Sequence, residues 1–367
     1  MVHATYGSAS ESRWPLDAES TGHAATATTV AHPNIALAKY WGKRTGHGNY
    51  PAVPSLSVTL AGLATRTTVS FDETLSADEL TLDGTRIYGA PLTRAATLLG
   101  RVRAASSRKC FARVTSANDF PTSSGLASSA SGFAALALGA VRAAGLQWST
   151  DLVSDLARRA SASAARSLFG GFVELDAGPE FPGGHELLAA RQVATAGHID
   201  LAVLVCVTTD DPKSVSSTAG MLFTQRRSPY YAAWLEDAAL LHAGIREALD
   251  RRDFHALGEL SEASALAMHA CAMAAGVVYV NGATLDVLAH VRSLRARGLG
   301  VYATMDAGPH VKVLVDGYDA ERAMRQLESI PSVLRVLDAR PGDGARIVTG
   351  DERSEGGAAP QRSAQAI

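Results

Sequence analysis

Five segments of this sequence carry residue types suited to holding phosphate and carboxylate groups. The first, Pro121-Thr-Ser-Ser-Gly-Leu-Ala-Ser-Ser-Ala-Ser-Gly132, is built of small and hydroxylated residues and runs into an Ala-rich helical stretch. A helix starting there offers unpaired N–H groups and partial positive charge to a phosphate. Ser128, Ser129 and Ser131 add hydroxyl donors, and a hydroxyl can also ligate Mg2+. No Gly-Lys-Ser/Thr ending is present, so this is not a Walker A loop. Read alone, a serine-capped helix after a glycine-containing loop explains it as well. The second segment, His32-Pro-Asn-Ile-Ala-Leu-Ala-Lys-Tyr-Trp-Gly-Lys-Arg44, sets Lys39, Lys43 and Arg44 within six positions. Two lysines, an arginine, the Tyr40 phenol and a bend at Gly42 can hold a phosphate or carboxylate. By itself the pattern reads more readily as a basic surface turn with a packed Trp41.

The third segment, Ser161-Ala-Ser-Ala-Ala-Arg-Ser-Leu-Phe-Gly-Gly171, places Ser161, Ser163 and Arg166 where a helix end bending into a loop would converge them on one anion. Arginine suits fork-like pairing with a carboxylate. A plain helix C-terminus, with Arg166 facing the dipole, is an equal reading. The fourth, Lys213-Ser-Val-Ser-Ser-Thr-Ala-Gly-Met221, gathers a lysine and hydroxyls after an apolar strand. The fifth, Met305-Asp-Ala-Gly-Pro-His-Val-Lys312, carries an acid into a Gly-Pro turn. Asp306 there is either a general base or partner to cations, or simply the start of a turn.

These segments need elements to position them. Strands are expected at 55–60, 67–71, 80–82, 86–88, 111–116, 201–207 and 311–315, with Asp83-Gly84 as a hairpin turn. Helices are expected at 128–144, from Thr150 toward Arg166, over 232–274 with a break near Asp253, and at 283–297. The mixture is α+β rather than a regular βαβ alternation. Residues 1–28 and 349–367 read as a disordered leader and tail, with a domain division at 195/196.

Of 367 residues, 47% are hydrophobic and 19% charged, enough to build a real core. The formal charge of −2 argues against a nucleic-acid binder but leaves room for a small anion held by a few local cations. Three scattered cysteines suit a reducing compartment rather than a disulfide framework. The 11 histidines show no zinc-site spacing, no apolar run matches a membrane span, and residues 1–29 lack a signal peptide's apolar region. A cytoplasmic protein is expected.

Taken in order, the motifs form a specific set. Asn34-Ile-Ala with Lys39-Tyr-Trp-Gly-Lys-Arg44, Ser55-Leu-Ser-Val-Thr-Leu60, Phe120-Pro-Thr with Gly125-Leu-Ala-Ser-Ser-Ala130, Arg166-Ser-Leu-Phe-Gly-Gly171, Ser216-Ser-Thr-Ala-Gly-Met221 and Asp306-Ala-Gly-Pro309 follow one another along the chain. The chain resembles the diphosphomevalonate decarboxylases of the GHMP kinase superfamily, from about His32 to near Val348. The resemblance implies a two-domain α+β fold, with a ribosomal protein S5 domain 2-like N-terminal domain, a GHMP C-terminal domain and a cleft between them. It implies ATP and Mg2+ as cofactors, a homodimer, and phosphorylation of the 3-hydroxyl of 5-diphosphomevalonate followed by loss of phosphate and CO2 to give isopentenyl diphosphate.

By resemblance, Asp306 faces the 3-hydroxyl, Lys213 neutralises the transferring phosphoryl and Arg166 clamps the substrate carboxylate. Tyr40, Trp41, Gly42, Lys43, Arg94, Ser161, Ser163 and Thr218 grip the substrate and its diphosphate. Gly125, Leu126, Ser128, Ser129, Ser131 and Ser217 fall on the ATP side, with Ser129 beside Mg2+, and Lys39 is a further ATP-side or structural cation. The family's Gly-Ser-Gly-Ser is Ala160-Ser-Ala-Ser163 here, and its usual Asn after Gly-Pro is His310. A relative acting on 5-phosphomevalonate or mevalonate, or a non-catalytic ligand-binding relative, are the alternatives.

Overall fold

The computed structural model describes residues 25–106, 108–120, 128–211 and 215–349. In chain order the strands are β1 (Thr26–Ala31), β2 (Asn34–Ala38), β3 (Ser55–Ala61), β4 (Thr65–Asp72), β5 (Glu79–Leu82), β6 (Thr85–Arg86), β7 (Phe111–Asn118), β8 (Phe172–Leu175), β9 (Arg191–Ala194), β10 (Leu201–Val207), β11 (Val301–Met305), β12 (Val311–Asp316), β13 (Arg335–Pro341) and β14 (Arg346–Ile347). The helices are α1 (Ala90–Ser106), α2 (Ser128–Ala143), α3 (Thr150–Ala160), α4 (Ser217–Arg227), α5 (Tyr231–Asp250), α6 (Phe254–Ala274), α7 (Gly282–Ala296) and α8 (Ala320–Glu328).

Two sheets organise the molecule. One runs β14-β1-β4-β7-β5-β6. Strand β4 alternates strictly, with Thr65, Thr67, Val69 and Phe71 inward, so its sheet buries one face. Helix α2, buried along most of its length, covers that face together with α1 and α3. The other sheet runs β11-β12-β10-β13-β3-β8-β9, with β2 on the second edge of β3. Every residue of β10 is buried, as expected for a central strand covered on both faces. Helices α5 and α6 pack on one side and α7 and α8 on the other. Strand β13 bridges the chain's halves by pairing with β10 and, through Arg340 and Pro341, with β3.

Two expectations need correction. Strand β1 begins at Thr26, inside the expected leader, because Thr26–Ala31 pairs along β4 and Thr26 Oγ1 shares a hydrogen bond with Ser70 Oγ. The helix begun at Thr150 does not reach Arg166. It stops at Ala160, Ser161 adopts extended backbone, and a 3-10 helix, Ala162–Leu168, carries Arg166. This break turns Arg166 into the fold rather than along a helix surface. The expected break near Asp253 is present: Arg252 has φ of 57° and Asp253 caps α6 by accepting from Ala256 N–H.

Candidate active site

The third segment supplies the best-defined group. Arg166 is 2% exposed, and three neutral oxygens hold its guanidinium. Nε donates to Ser57 Oγ (2.9 Å), Nη1 to Ser55 Oγ (2.7 Å) and Nη2 to Asn34 Oδ1 (3.2 Å). Ser55 and Ser57 share one face of β3 because side chains alternate along a strand. Asn34 is fixed in turn by donating to Ser163 O (3.0 Å) and Ser167 Oγ (2.8 Å). Burial lowers the Arg166 pKa to about 10, with Asp306 and Tyr40 acting against it. Arg166 makes no ion pair with a carboxylate among the described residues. A guanidinium aligned by neutral acceptors and left without a bonded counter-ion is prepared for an incoming anion.

Beside it lies Asp306, in the turn between β11 and β12. Lys39, just past β2, donates from Nζ to Asp306 Oδ1 (2.7 Å) and to Ala36 O (2.8 Å). Lys312 on β12 brings its Nζ to 3.6 Å from Asp306 Oδ2. Side-chain exposure is 1% for Lys39, 0% for Lys312 and 25% for Asp306, so of the three Asp306 is the one open to a ligand. Burial alone would raise the Asp306 carboxyl, but Lys39, Lys312 and Arg166 outweigh it and hold it at about 2. Burial takes Lys39 down to about 8, against the pull of Asp306. His269 on α6 faces the same group. Burial, reinforced by Lys39, lowers it to about 4 and keeps it neutral.

The Tyr40–Lys43 turn borders this cluster. Burial pushes the Tyr40 phenol well above its usual range, partly offset by Arg166. Burial and then the neighbouring Arg94 lower the Lys43 pKa, so two cations face the same region. The Arg94 guanidinium lies 4.9 Å over the Phe133 ring. Gly42 adopts φ of 120°, and a Cβ there would fall 2.0 Å from Tyr231 Oη. Ser161 and Ser163 hydroxyls are 3.2 Å apart at the start of the 3-10 helix.

Helix α2 starts at Ser128, and Ser129 is exposed in its first turn. A cavity of about 200 Å3 opens beside it, lined by Thr65, Ile87, Arg94, Ser128, Ser129 and Phe133 among others. Ser217 and exposed Thr218 occupy the first turn of α4, capped by Ser216. Lys213, Gly125 and Leu126 lie outside the described residues.

The Lys39 ammonium is engaged by Asp306 and the Ala36 carbonyl. Two residues are placed otherwise than the sequence led one to expect. Ser131 is fully buried and its hydroxyl bonds Thr65 Oγ1 (2.6 Å), turning it into the sheet. The Trp41 ring packs edge-on to Tyr279 in an apolar cluster with Met221 and Trp234, leaving its carbonyl to accept from Trp234 Nε1 (2.7 Å).

Residues 31–187 match the model of the diphosphomevalonate decarboxylase-like N-terminal domain, and residues 203–342 match that of the mevalonate 5-diphosphate decarboxylase C-terminal domain. The chain belongs to the diphosphomevalonate decarboxylase family. It is 35% identical to the diphosphomevalonate decarboxylase of Ganoderma lucidum over 310 residues, 78% of this chain and 77% of that one. It is 33% identical to the phosphomevalonate decarboxylase of Haloferax volcanii over 293 residues, 78% of this chain and 87% of that one. Among solved structures it superposes on mevalonate diphosphate decarboxylase from Staphylococcus aureus with a TM-score of 0.83 at 33% identity, covering 90% of this chain and all of the other. A complex of MDDEF with MVAPP, AMPPCP and magnesium gives 0.82 at 37% identity, covering 89% and 100%. The fold is thus the two-domain α+β fold of this family.

Within this family fold, sequence reasoning gave no role to Asn34, Ser55, Ser57 or Lys312. Two signals were present: hydroxyls two apart in an apolar strand, and a lone lysine inside Val311-Lys-Val-Leu-Val315.

Proposed function

We propose that this protein uses ATP to phosphorylate the tertiary 3-hydroxyl of (R)-5-diphosphomevalonate and then releases phosphate and CO2, giving isopentenyl diphosphate and ADP. The observation that carries this reading is Arg166, a buried guanidinium held by Asn34, Ser55 and Ser57 with no carboxylate among the described residues paired to it, next to Asp306. A kinase that only phosphorylates a hydroxyl needs no carboxylate clamp, whereas a decarboxylase must orient the C–CO2 bond.

Asp306 is fully ionised at neutral pH and is a weak base at about 2. Its role is therefore to orient the 3-hydroxyl and to receive the proton late, as a loose phosphoryl-transfer transition state permits. Phosphate is a far better leaving group than hydroxide. Its departure leaves positive character beside the carboxylate, which decarboxylation quenches. Lys39 keeps Asp306 ionised, and Lys213 is proposed to neutralise the transferring phosphoryl. Tyr40, Lys43 and Arg94 are proposed to hold the diphosphate. The lowering of Lys43 by burial and then by the neighbouring Arg94 supports an anionic ligand there.

The exposed Ser129 hydroxyl at the start of α2 fits Mg2+ held mainly by ATP phosphates, since Mg2+ commonly takes one or two protein ligands plus substrate oxygens. Bound there, Mg2+ would offset charge on the phosphates. The cavity beside Ser128 and Ser129 is proposed to take the nucleoside. No helix among the described residues is long and apolar enough to cross a membrane. A cytoplasmic homodimer, with units 29–195 and 196–348 flanking the cleft, completes the proposal. The separate matches of 31–187 and 203–342 support that division.

The Haloferax relative raises a second reading, a substrate with one 5-phosphate. One assay decides: ADP release coupled to CO2 trapping, with mevalonate, 5-phosphomevalonate and 5-diphosphomevalonate side by side. Equal ADP and CO2, fastest with the diphosphate, is expected. ADP without CO2 refutes the decarboxylase reading, and preference for the monophosphate selects the second.

A further inference from the structure

Lys312 is a costly residue where it stands. Strand β12 is buried from Val311 to Val315, and Lys312 lies between β10 and β11, opposite Val205 and Thr304. Its side chain has no exposure. An ammonium in such a place loses its hydration, and a Val or Ile would fill the strand without that loss. One feature that rewards a cation here is Asp306 Oδ2. That oxygen is sealed from solvent and has no close hydrogen-bond partner among the described residues, while Oδ1 is already taken by Lys39. The ammonium facing Oδ2 is that of Lys312, at 3.6 Å. The Lys312 side chain has no exposed surface, whereas that of Asp306 is 25% exposed.

We infer that Lys312 is a positioning residue for the reaction proposed above: its ammonium fixes the sealed oxygen of Asp306 and, together with Lys39, leaves two positive charges against one carboxylate at the buried end of the site. The inference rests on the decarboxylase reading. It assigns the excess charge to meeting the transferred phosphoryl through Asp306 and Lys39, without contact from Lys312.

The charged and titratable groups coupled to Lys312 come from four elements. They are Asp306 after β11, Lys39 after β2, His269 on α6 and His310 just before β12. Burial lowers His269 to about 4 and His310 to about 3, so both are neutral in the working range. Lys39, at about 8, is the group whose titration Lys312 can move near neutral pH, and Lys312 acts to lower it.

The test is Lys312→Met, assayed beside wild type with ATP and 5-diphosphomevalonate from pH 6 to 10. Methionine fills the space and removes the charge. The expected result is a kcat lower by about 10- to 100-fold, on the scale found when groups supporting catalytic ligands are removed. KM for both substrates should stay within about twofold, and the alkaline limb of kcat/KM should move up by about one pH unit as Lys39 loses a neighbouring cation. The melting temperature should hold or rise, because a buried charge has been replaced by packing. Lys312→Gln, which keeps a donor toward Oδ2 but no charge, should show the same limb shift with a smaller loss of kcat. An alkaline limb that stays in place in folded variants overturns the inference even if kcat falls, since the loss is then one of packing. Failure of both variants to fold also overturns it, because Lys312 would then be structural. Wild type that makes ADP without CO2 refutes the functional reading instead and is seen before either variant is assayed.

Discussion

Lys39 Nζ lies 2.7 Å from Asp306 Oδ1, and the two groups bury unequally, with the lysine sealed and the aspartate a quarter exposed. Both pKa values are lowered, with opposite consequences for stability. The Asp306 pKa, about 2, is below its unfolded value, so its contribution to stability is present above about pH 4 and is lost as pH falls toward 2. The Lys39 pKa, about 8, is also below its unfolded value of about 10.4. Its burial therefore costs stability below pH 8, and that cost disappears as pH rises from about 8 to 10.4. For catalysis the sign reverses, because a neutral Lys39 no longer keeps the site cationic. The kcat/KM of the free enzyme should fall above about pH 8, with the apparent value belonging to the Lys39–Asp306 pair. Lys39→Arg, which stays charged, should lose that limb while keeping residual turnover. A flat profile from pH 7 to 10 in wild type would show that Lys39 does not govern it.

Arg166→Lys should be a severe change despite conserving charge. A lysine cannot donate to Ser55, Ser57 and Asn34 at once, so those buried acceptors lose their partners and the cation loses its fixed direction. CO2 release should fall by about 100-fold or more, the scale on which one preorganised electrostatic donor is lost. Ser57→Ala should cost less, about 10-fold, and chiefly in kcat, because it loosens the clamp without removing it. Steady-state kinetics on both variants, with ADP and CO2 measured separately, check this. A ratio of CO2 to ADP that falls below one in Arg166→Lys would locate the residue at the decarboxylation step.

The reasons Arg166 was legible and its supports were not are physical. A lone arginine between serines and a Gly-Gly stop is a local pattern. Its partners come from β2 and β3, more than a hundred residues away, and only the sheet pairing brings them together. Strands with strong apolar or alternating patterns, such as β4, β10 and β12, were readable. Strand β2 and helix α1 carried no comparable signal, because β2 is five residues long with only Asn34 polar, and α1 buries only Ala95, Leu98, Leu99 and Val102. The 3-10 helix was hidden for another reason: Ala160-Ser-Ala-Ser163 is as good a helix sequence as a bend. The turn is made by tertiary bonds, including Asn34 to Ser163 O and Ser154 Oγ to Ala165 O. Ser131 misled because type and spacing cannot say which way a side chain points. Ser131 is drawn inward by Thr65.

Asp306→Asn should abolish turnover while nucleotide binding survives, because the start of α2, and not Asp306, is proposed to hold the nucleotide phosphates. The variant also strips Lys39 and Lys312 of their counter-charge, so Lys39 should lose its proton more easily than in wild type. A lower melting temperature at pH 6 than at pH 9, measured against wild type, is the expected signature. Near-wild-type turnover would remove Asp306 from the mechanism.

Gly42 offers a test of the substrate-binding turn. At φ of 120° it occupies backbone that side chains strain to adopt, and a Cβ would meet Tyr231 Oη at 2.0 Å and Cζ at 3.0 Å. The turn is held by Ala52 N donating to Gly42 O (3.1 Å) and Arg44 N to Tyr50 O (2.9 Å), so it cannot retreat freely. Gly42→Ala should therefore displace Tyr40 and Lys43, which flank it. Backbone strain alone costs about 1–3 kcal/mol. KM for the phosphorylated substrate should rise more than kcat falls, because the turn is proposed to bind rather than react. Tyr231→Phe by itself should leave stability unchanged or higher, since the Tyr231 hydroxyl is buried with no hydrogen-bond partner among the described residues and its removal relieves a buried polar group. The double variant should recover part of the lost stability but not all of it, because the ring carbon and the strained φ remain. A coupling energy of about 0.5–3 kcal/mol from thermal or denaturant unfolding would confirm direct contact. Strict additivity would mean that Gly42 is required for its backbone angle alone.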